Sequence, residues 1–157
     1  MFSIIACIGK NREIGKGDKL VFNIKDDMKF FRETTTGHPV VMGYNTWRSL
    51  PGKLKNRENL VVSYEDVPGA DRTITNLDEF IKCHKKTDEE IFIIGGGMIY
   101  TAFLPHAQHL YLTEVDSSAD DATIFFPEFN KSQYSRKVIR KGSDHGLVYS
   151  INQYTIK

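Results

Sequence analysis

Two strand–glycine–helix junctions carry the clearest chemical potential in the chain: Val41-Met42-Gly43-Tyr44-Asn45-Thr46 and Ile93-Ile94-Gly95-Gly96-Gly97-Met98. A helix N-terminus presents unpaired N–H groups and the positive end of a dipole, and glycine lets a ligand approach the backbone. Each junction is either a phosphate-holding turn or simply a tight turn; two of them together suit a pyrophosphate, and so a dinucleotide. Neither reads G-x-x-x-x-G-K-S/T or a proper G-x-G-x-x-G, so nucleotide hydrolysis finds no support.

Three further side chains could do chemistry if the fold gathers them. At about 100° per residue, Ile24, Met28 and Phe31 share a helical stripe with Asp27 at its edge, while Lys25, Asp26, Lys29 and Glu33 point away. A carboxylate on an apolar face is costly to bury, and burial should raise its pKa. The alternative is that Asp26 and Asp27 only complement a first-turn dipole, with Asn23 as the cap. Arg57 is either a solvated residue at a strand entrance or a bidentate clamp for a carboxylate. Thr113 is a neutral strand residue unless its strand lies beside Asp27.

The elements that must position these residues alternate between strand and helix. Phe2–Ile8, Val40–Met42, Asn59–Ser63, Glu90–Ile94 and His109–Val115 read as strands. Residues 25–36, 44–50, 76–85 and 97–103 read as helices, with Gly37 as a stop and Asn76 as an entry. Gly9–Ile24, with Gly15 and Gly17 among charges, reads as one long loop and is suspect for function. Tyr134–Ile139 and Leu147–Ile156, separated by Gly142 and Gly146, read as an antiparallel pair added to a mostly parallel sheet. The expected class is α/β, a single domain over residues 1–157 with a mixed, mostly parallel sheet flanked by helices.

Composition narrows the function. Forty per cent of the 157 residues are apolar and 26% charged, with 21 Lys and Arg against 20 Asp and Glu. A net charge of +1 with no one-sign block argues against a nucleic-acid or membrane-surface binder. No stretch approaches the roughly 20 apolar residues of a bilayer span, and Met1–Gly9 lacks the basic start of a signal peptide. Cys7 and Cys83 have no C-x-x-C spacing and read as reduced thiols of a cytoplasmic protein. The five histidines share no spacing with carboxylates or cysteines, so no metal site is read.

The ordered set Ile4-Ile5-Ala6, Ile14-Gly15, Asp27 with Phe30-Phe31, Val41-Met42-Gly43-x-x-Thr46-Trp47, Asn56-Arg57-x-Asn59, Ile94-Gly95-Gly96-Gly97-x-Ile99-Tyr100, Tyr111-Leu112-Thr113 and Phe126-Pro127 resembles the dihydrofolate reductase family over essentially the whole chain. The resemblance implies hydride transfer from NADPH to C6 of dihydrofolate as N5 gains a proton through water. It assigns catalysis to Asp27, Thr113 and Phe22. Ile5, Ala6, Met28, Phe31, Leu50, Leu54 and Ile94 would line the pterin and aminobenzoyl pocket, with Arg57 on the glutamate carboxylate. Ala6, Ile14, Gly15, Gly43, Tyr44, Asn45 and Thr46 would hold the cofactor. Ser63, Tyr64, Gly95, Gly96, Gly97, Met98, Ile99 and Tyr100 would complete its site, with a cis Gly95–Gly96 bond. The resemblance also implies a monomer whose Gly9–Ile24 loop closes over the nicotinamide.

The sequence departs from the family pattern in four places. Val21-Phe22 replaces Pro-Trp, and Phe22 has no indole N–H. Tyr44 and Met98 stand where arginines are expected. Asp121-Ala122-Thr123 replaces Gly-Asp-Thr with an extra residue before Pro127, so a loop-stabilising aspartate is either shifted to Asp121 or missing. Two rival readings accompany the first: the same-fold pyrimidine reductase of riboflavin synthesis, and a folate- or nucleotide-binding protein without turnover.

Overall fold

The computed structural model describes all of residues 1–157. Strand β1 (Phe2–Ile8) runs through the middle of an eight-stranded sheet because its residues are apolar on both faces. Its alternation divides the core. Ile4, Ala6 and Ile8 join one cluster, with Leu110 and Phe103, whereas Ile5 joins the other, with Met42, Phe92 and Ile151. Helix α1 (Lys25–Thr35) follows, then β4 (Val40–Gly43), α2 (Tyr44–Ser49), β5 (Asn59–Val62), β6 (Arg72–Ile74) and α3 (Leu77–His84), with the short β2 and β3 lying between β1 and α1. The chain continues through β7 (Ile91–Gly95), α4 (Gly97–Phe103), β8 (Ala107–Val115), β9 (Ile124–Phe125), β10 (Tyr134–Asp144) and β11 (Leu147–Ile156).

The sheet order is β10-β11-β8-β1-β7-β4-β5-β6. Every pairing from β8 to β6 is parallel; β11 and β10 add antiparallel strands at one edge. The mixed sheet and terminal hairpin expected from the sequence are thus present. Parallel pairing puts Cys7 opposite Thr113 and Ile5 opposite Tyr111, which carries the end of β8 alongside the end of β1.

Several expectations need correction. Gly9–Ile24 is not one loop: β2 (Glu13–Lys16) and β3 (Lys19–Leu20) form a hairpin, and β2 pairs with β9 in a separate three-stranded sheet. Strand β6 adds a parallel edge that three residues are too few to announce. Asn23 does not cap α1; the cap position is Ile24, and the Lys25 N–H donates to Asp144 Oδ2 from the β10–β11 hairpin at 2.9 Å. Met28 is 52% exposed, so the buried face of α1 is built on Phe30 and Thr35 rather than on Met28. Gly142 lies within β10 against Tyr149, and the chain reverses at His145-Gly146, both with positive φ.

Candidate active site

Asp27 reaches the site from the first turn of α1. Its Oδ1 accepts a 2.6 Å hydrogen bond from the Thr113 hydroxyl on β8, and Thr113 is fully buried. Burial pushes the Asp27 carboxyl above the usual aspartate value; the Thr113 bond opposes this, and the neighbouring Asp26 charge adds to it. Burial, then the Asp27 charge, also raises the Cys7 thiol. Tyr100 rises by burial first and then by Asp27 and Cys7. Its hydroxyl donates to the Ile5 carbonyl at 2.8 Å. One carboxylate field therefore covers the ends of β1 and β8 and the buried face of α4.

Asp26, adjacent in sequence, has a different environment. It receives Arg140 at 2.8 Å and the Tyr149 hydroxyl at 2.9 Å, which join α1 to the terminal hairpin. Burial would raise its carboxyl, but Arg140 and Tyr149 hold it below the usual range. The guanidinium of Arg140 also lies 5.6 Å from the Phe30 ring centre. A dipole role alone does not describe Asp26.

The two glycine junctions meet face to face. A Cβ on Gly95 would stand 3.4 Å from the Tyr100 hydroxyl and 3.6 Å from Thr46 Oγ1, and one on Gly96 would also be 3.6 Å from Thr46 Oγ1. A Cβ on Gly43 would press on Ile99 at 3.1 Å. Gly95 has φ +130, a conformation that side chains resist, and the Gly95–Gly96 peptide is cis as the resemblance implied. Neither α2 nor α4 has a side-chain cap, so their first N–H groups remain available. The cradle fits a ligand that contacts bare backbone.

Beyond Thr46 a cleft of about 630 Å³ opens between α2 and the end of β5, lined by Tyr44, Trp47, Arg48, Ser63, Tyr64 and Glu65 among others. Arg48 stacks on Tyr44, 5.7 Å from the ring centre. Arg72 on β6 lies outside this cleft and covers Phe80 on α3, 5.6 Å from the ring centre. Tyr64 and Met98 are almost wholly exposed, and Asn45 is exposed as well.

Arg57 is set at the far end of the α1 cleft. Its Nε donates to the Lys55 carbonyl at 2.9 Å, its Nη1 to Thr35 Oγ1 at 3.1 Å, and its guanidinium stands 5.8 Å from the Phe31 ring. No carboxylate of the chain pairs with it; burial, then Arg32, lowers its pKa, so an anion there would be welcome. Sequence reasoning missed what holds this segment. Asn59, fully buried, donates to the carbonyls of Leu54 and Arg57 and accepts the Leu54 N–H. A polar residue opening a buried strand was the available signal. Leu50, Leu54, Phe31 and Ile94 are half-buried against the Ile5 cluster, while Ile5, Ala6 and Phe22 are buried.

The β2–β3 hairpin borders this space. Ile14 and Gly15 are buried, and Gly15 pairs with Leu20 and Ile124. Asp121 pairs with Lys16 at the surface, while the Gly17 N–H donates to Thr123 Oγ1 at 3.0 Å. Residues 121–123 are thus tied to the hairpin by an exposed ion pair and by a bond to a hydroxyl.

The family model described as Dihydrofolate reductase matches residues 1–155. The dihydrofolate reductase of Neisseria gonorrhoeae is 35% identical over 158 residues, covering 97% of this chain and 96% of its own. That of Bacillus subtilis (strain 168) is 33% identical over 135 residues, 85% of this chain and 80% of its own. Among solved structures, dihydrofolate reductase from Enterococcus faecalis complexed with NADP(H) and RAB-propyl superposes with a TM-score of 0.88 at 23% identity, covering 100% of this chain and 96% of that one. That last likeness concerns the fold; the sequence matches, spanning nearly every residue described above, place this chain in the dihydrofolate reductase family.

Proposed function

We propose that the chain reduces 7,8-dihydrofolate to 5,6,7,8-tetrahydrofolate with NADPH, on the residues assembled around Asp27. The observation that carries the reading is the Asp27–Thr113 pair on the strand edge beside β1, whose Ile5 carbonyl takes the Tyr100 hydroxyl that also backs Gly95. NADPH, when bound, supplies the hydride. Gly43, Thr46, Gly95, Gly96 and Tyr100 would hold it, because bare glycine backbone and the hydroxyls of Thr46 and Tyr100 meet in that cradle.

The protein's own contribution is orientation, water exclusion and control of a proton. Thr113 occupies Asp27 Oδ1 and leaves Oδ2 to accept hydrogen bonds from the pterin ring. The raised Asp27 pKa keeps a proton on the site to higher pH than a solvated aspartate would, the condition for aiding protonation at N5. Ile5, Ala6, Phe31, Leu50, Leu54 and Ile94 offer the apolar walls for the planar substrate. Arg57 takes the glutamate carboxylate, its reach set by Lys55 and Thr35. The β2–β3 hairpin covers the reacting centre. The reading extends to a cytosolic monomer, supported by two free thiols and a balanced surface charge.

A steady-state assay following reduced-nicotinamide absorbance with dihydrofolate tests the activity. Turnover that requires both ligands supports it; tight binding of both without turnover would favour the non-catalytic reading. No helix is long and apolar enough to cross a membrane.

A further inference from the structure

Glu13 is a buried carboxylate that the reaction does not use. It is 2% exposed, yet sits at the root of the β2–β3 hairpin with no basic side chain bonded to it. Its Oε1 accepts the Asn11 N–H at 2.7 Å, and its Oε2 accepts the Ala119 N–H, 106 residues away, at 2.6 Å. The bonds around it are all backbone: Gly9 N–H to the Glu13 carbonyl at 3.0 Å and Lys10 N–H to the Ser117 carbonyl at 2.9 Å. Gly9 fits only because it lacks a side chain. A Cβ there would stand 2.6 Å from Glu13 Oε1, 2.7 Å from the Phe22 ring and 2.9 Å from the Ser117 carbonyl.

The position of this knot gives it meaning. Ala119 lies a few residues beyond β8, the strand that delivers Thr113 to Asp27. Glu13 opens β2, and Phe22 ends the segment that returns to α1. The carboxylate therefore ties the cover of the site to the strand carrying the Asp27 partner. Other ties join the two segments: the Lys10 N–H to the Ser117 carbonyl, the Arg12 guanidinium to the Phe126 carbonyl at 2.6 Å, a Lys16–Asp121 pair, a Gly17–Thr123 bond and the short β2–β9 ladder. Among the side chains that make them Glu13 is the buried one, an ionised acceptor that serves two N–H groups at once.

Resting on the reductase reading above, we propose that Glu13 is a positioning residue for hydride transfer: its carboxylate, clasped by Asn11 and Ala119, sets the β2–β3 hairpin over the reacting centre. It touches neither substrate nor cofactor. Glu13→Gln keeps the shape but puts an amide NH₂ against one of the two N–H donors, so one clasp is lost.

Two measurements on the full-length protein test this. Amide exchange without ligands should quicken by roughly 10- to 100-fold at Asn11 and Ala119 in Glu13→Gln, while β1 and β8 keep their protection. Single-turnover hydride transfer should slow about tenfold or more, with a deuterium isotope effect from labelled NADPH and with dissociation constants for both ligands changed much less. Asp116→Asn removes a nearby exposed acid paired only with Lys10 and should stay within about twofold on both readouts. If Glu13→Gln does not fold, Glu13→Asp keeps the charge but withdraws it by one methylene and should show the same pattern at smaller size. Faster exchange with an unchanged hydride step would make Glu13 merely structural and overturn the proposal, as would an equal loss in Asp116→Asn. A wild type without turnover would instead sink the reductase reading and leave the exchange result standing.

Discussion

Replacing Tyr44 by arginine tests how this protein tells NADPH from NADH. The cleft beside α2 holds one basic side chain, Arg48, and two acids, Glu65 and Asp66, where a phosphate on the adenosine ribose would be read. Tyr44 donates a neutral hydrogen bond, worth ~0.5–1.5 kcal/mol, where a guanidinium would donate a charged one worth ~1.5–3. Tyr44 is 45% exposed, so screening by water and salt takes the gain to the low end, about 1 kcal/mol. At 1.4 kcal/mol per decade, Tyr44→Arg should raise kcat/KM with NADPH roughly fivefold and leave NADH unchanged. Without the phosphate the new arginine faces Arg48 one turn away, so the free protein should lose a few tenths of a kcal/mol and recover them with NADPH. The companion variant, Arg48→Gln, removes the remaining charge and should cut the NADPH-to-NADH ratio about tenfold. Measurements of kcat/KM for both cofactors at low and high salt would decide it. A ratio unmoved by Arg48→Gln, or equal gains for both cofactors in Tyr44→Arg, would refute the assignment of this cleft to the ribose phosphate.

Asp27→Asn should slow hydride transfer at neutral pH by ~10²–10⁴-fold, with the deficit shrinking toward low pH where the substrate is already protonated; single-turnover rates across pH check this. Because folding raises the Asp27 pKa, that residue favours the fold below its ordinary value of 3.8 and opposes it as pH rises through the folded value, so Asp27→Asn should raise Tm at pH 7 and not in strong acid. Asp26 has the opposite sign, its pKa being depressed: Asp26→Asn should cost stability at neutral pH, a cost that disappears as the pH falls through the folded value, measured by urea titration. Arg57→Leu should weaken dihydrofolate binding at least about tenfold, spare NADPH, and barely affect a folate analogue lacking the glutamate tail, as calorimetry would show.

The strands and helices that carry the site were legible because their signals are local. The apolar run Phe2–Ile8, the strand ending at Gly43 and the Asn76 cap, whose side chain accepts the Glu79 N–H, all stand where the residues imply. What escaped is held by partners distant in sequence. Strands β2, β3 and β9 have four, two and two residues, too short for a periodic signal; β2 pairs with β9 across more than 100 positions, and β3 pairs with β2 alone. Ile24 and Met28 share the expected stripe one turn apart, but Ile24 is buried at the cap position whereas Met28 is 52% exposed, a difference that periodicity does not signal. Asp144 could not be foreseen as the partner of the first α1 amide, since a hairpin 119 residues later delivers it. Arg57 was legible as a residue type but its aim was not, because Thr35, Lys55 and Asn59 set it from three segments.

Three carboxylates near the site show how one fold separates holding from reacting. Asp26 faces Arg140 and Tyr149 and is kept ionised, so it contributes stability by joining α1 to the terminal hairpin. Glu13 is buried more deeply, yet the backbone N–H groups of Ala119 and Asn11 overcome the burial and hold its pKa below the usual range. Asp27 is half-buried with a single hydroxyl as partner, too little to offset desolvation, and its pKa moves the other way. A further donor from the chain on Asp27 would lower its pKa and occupy Oδ2, the oxygen proposed above to meet the pterin. Asp26 and Glu13, each held ionised by donors of the chain, frame the one carboxylate that keeps an oxygen free for a ligand.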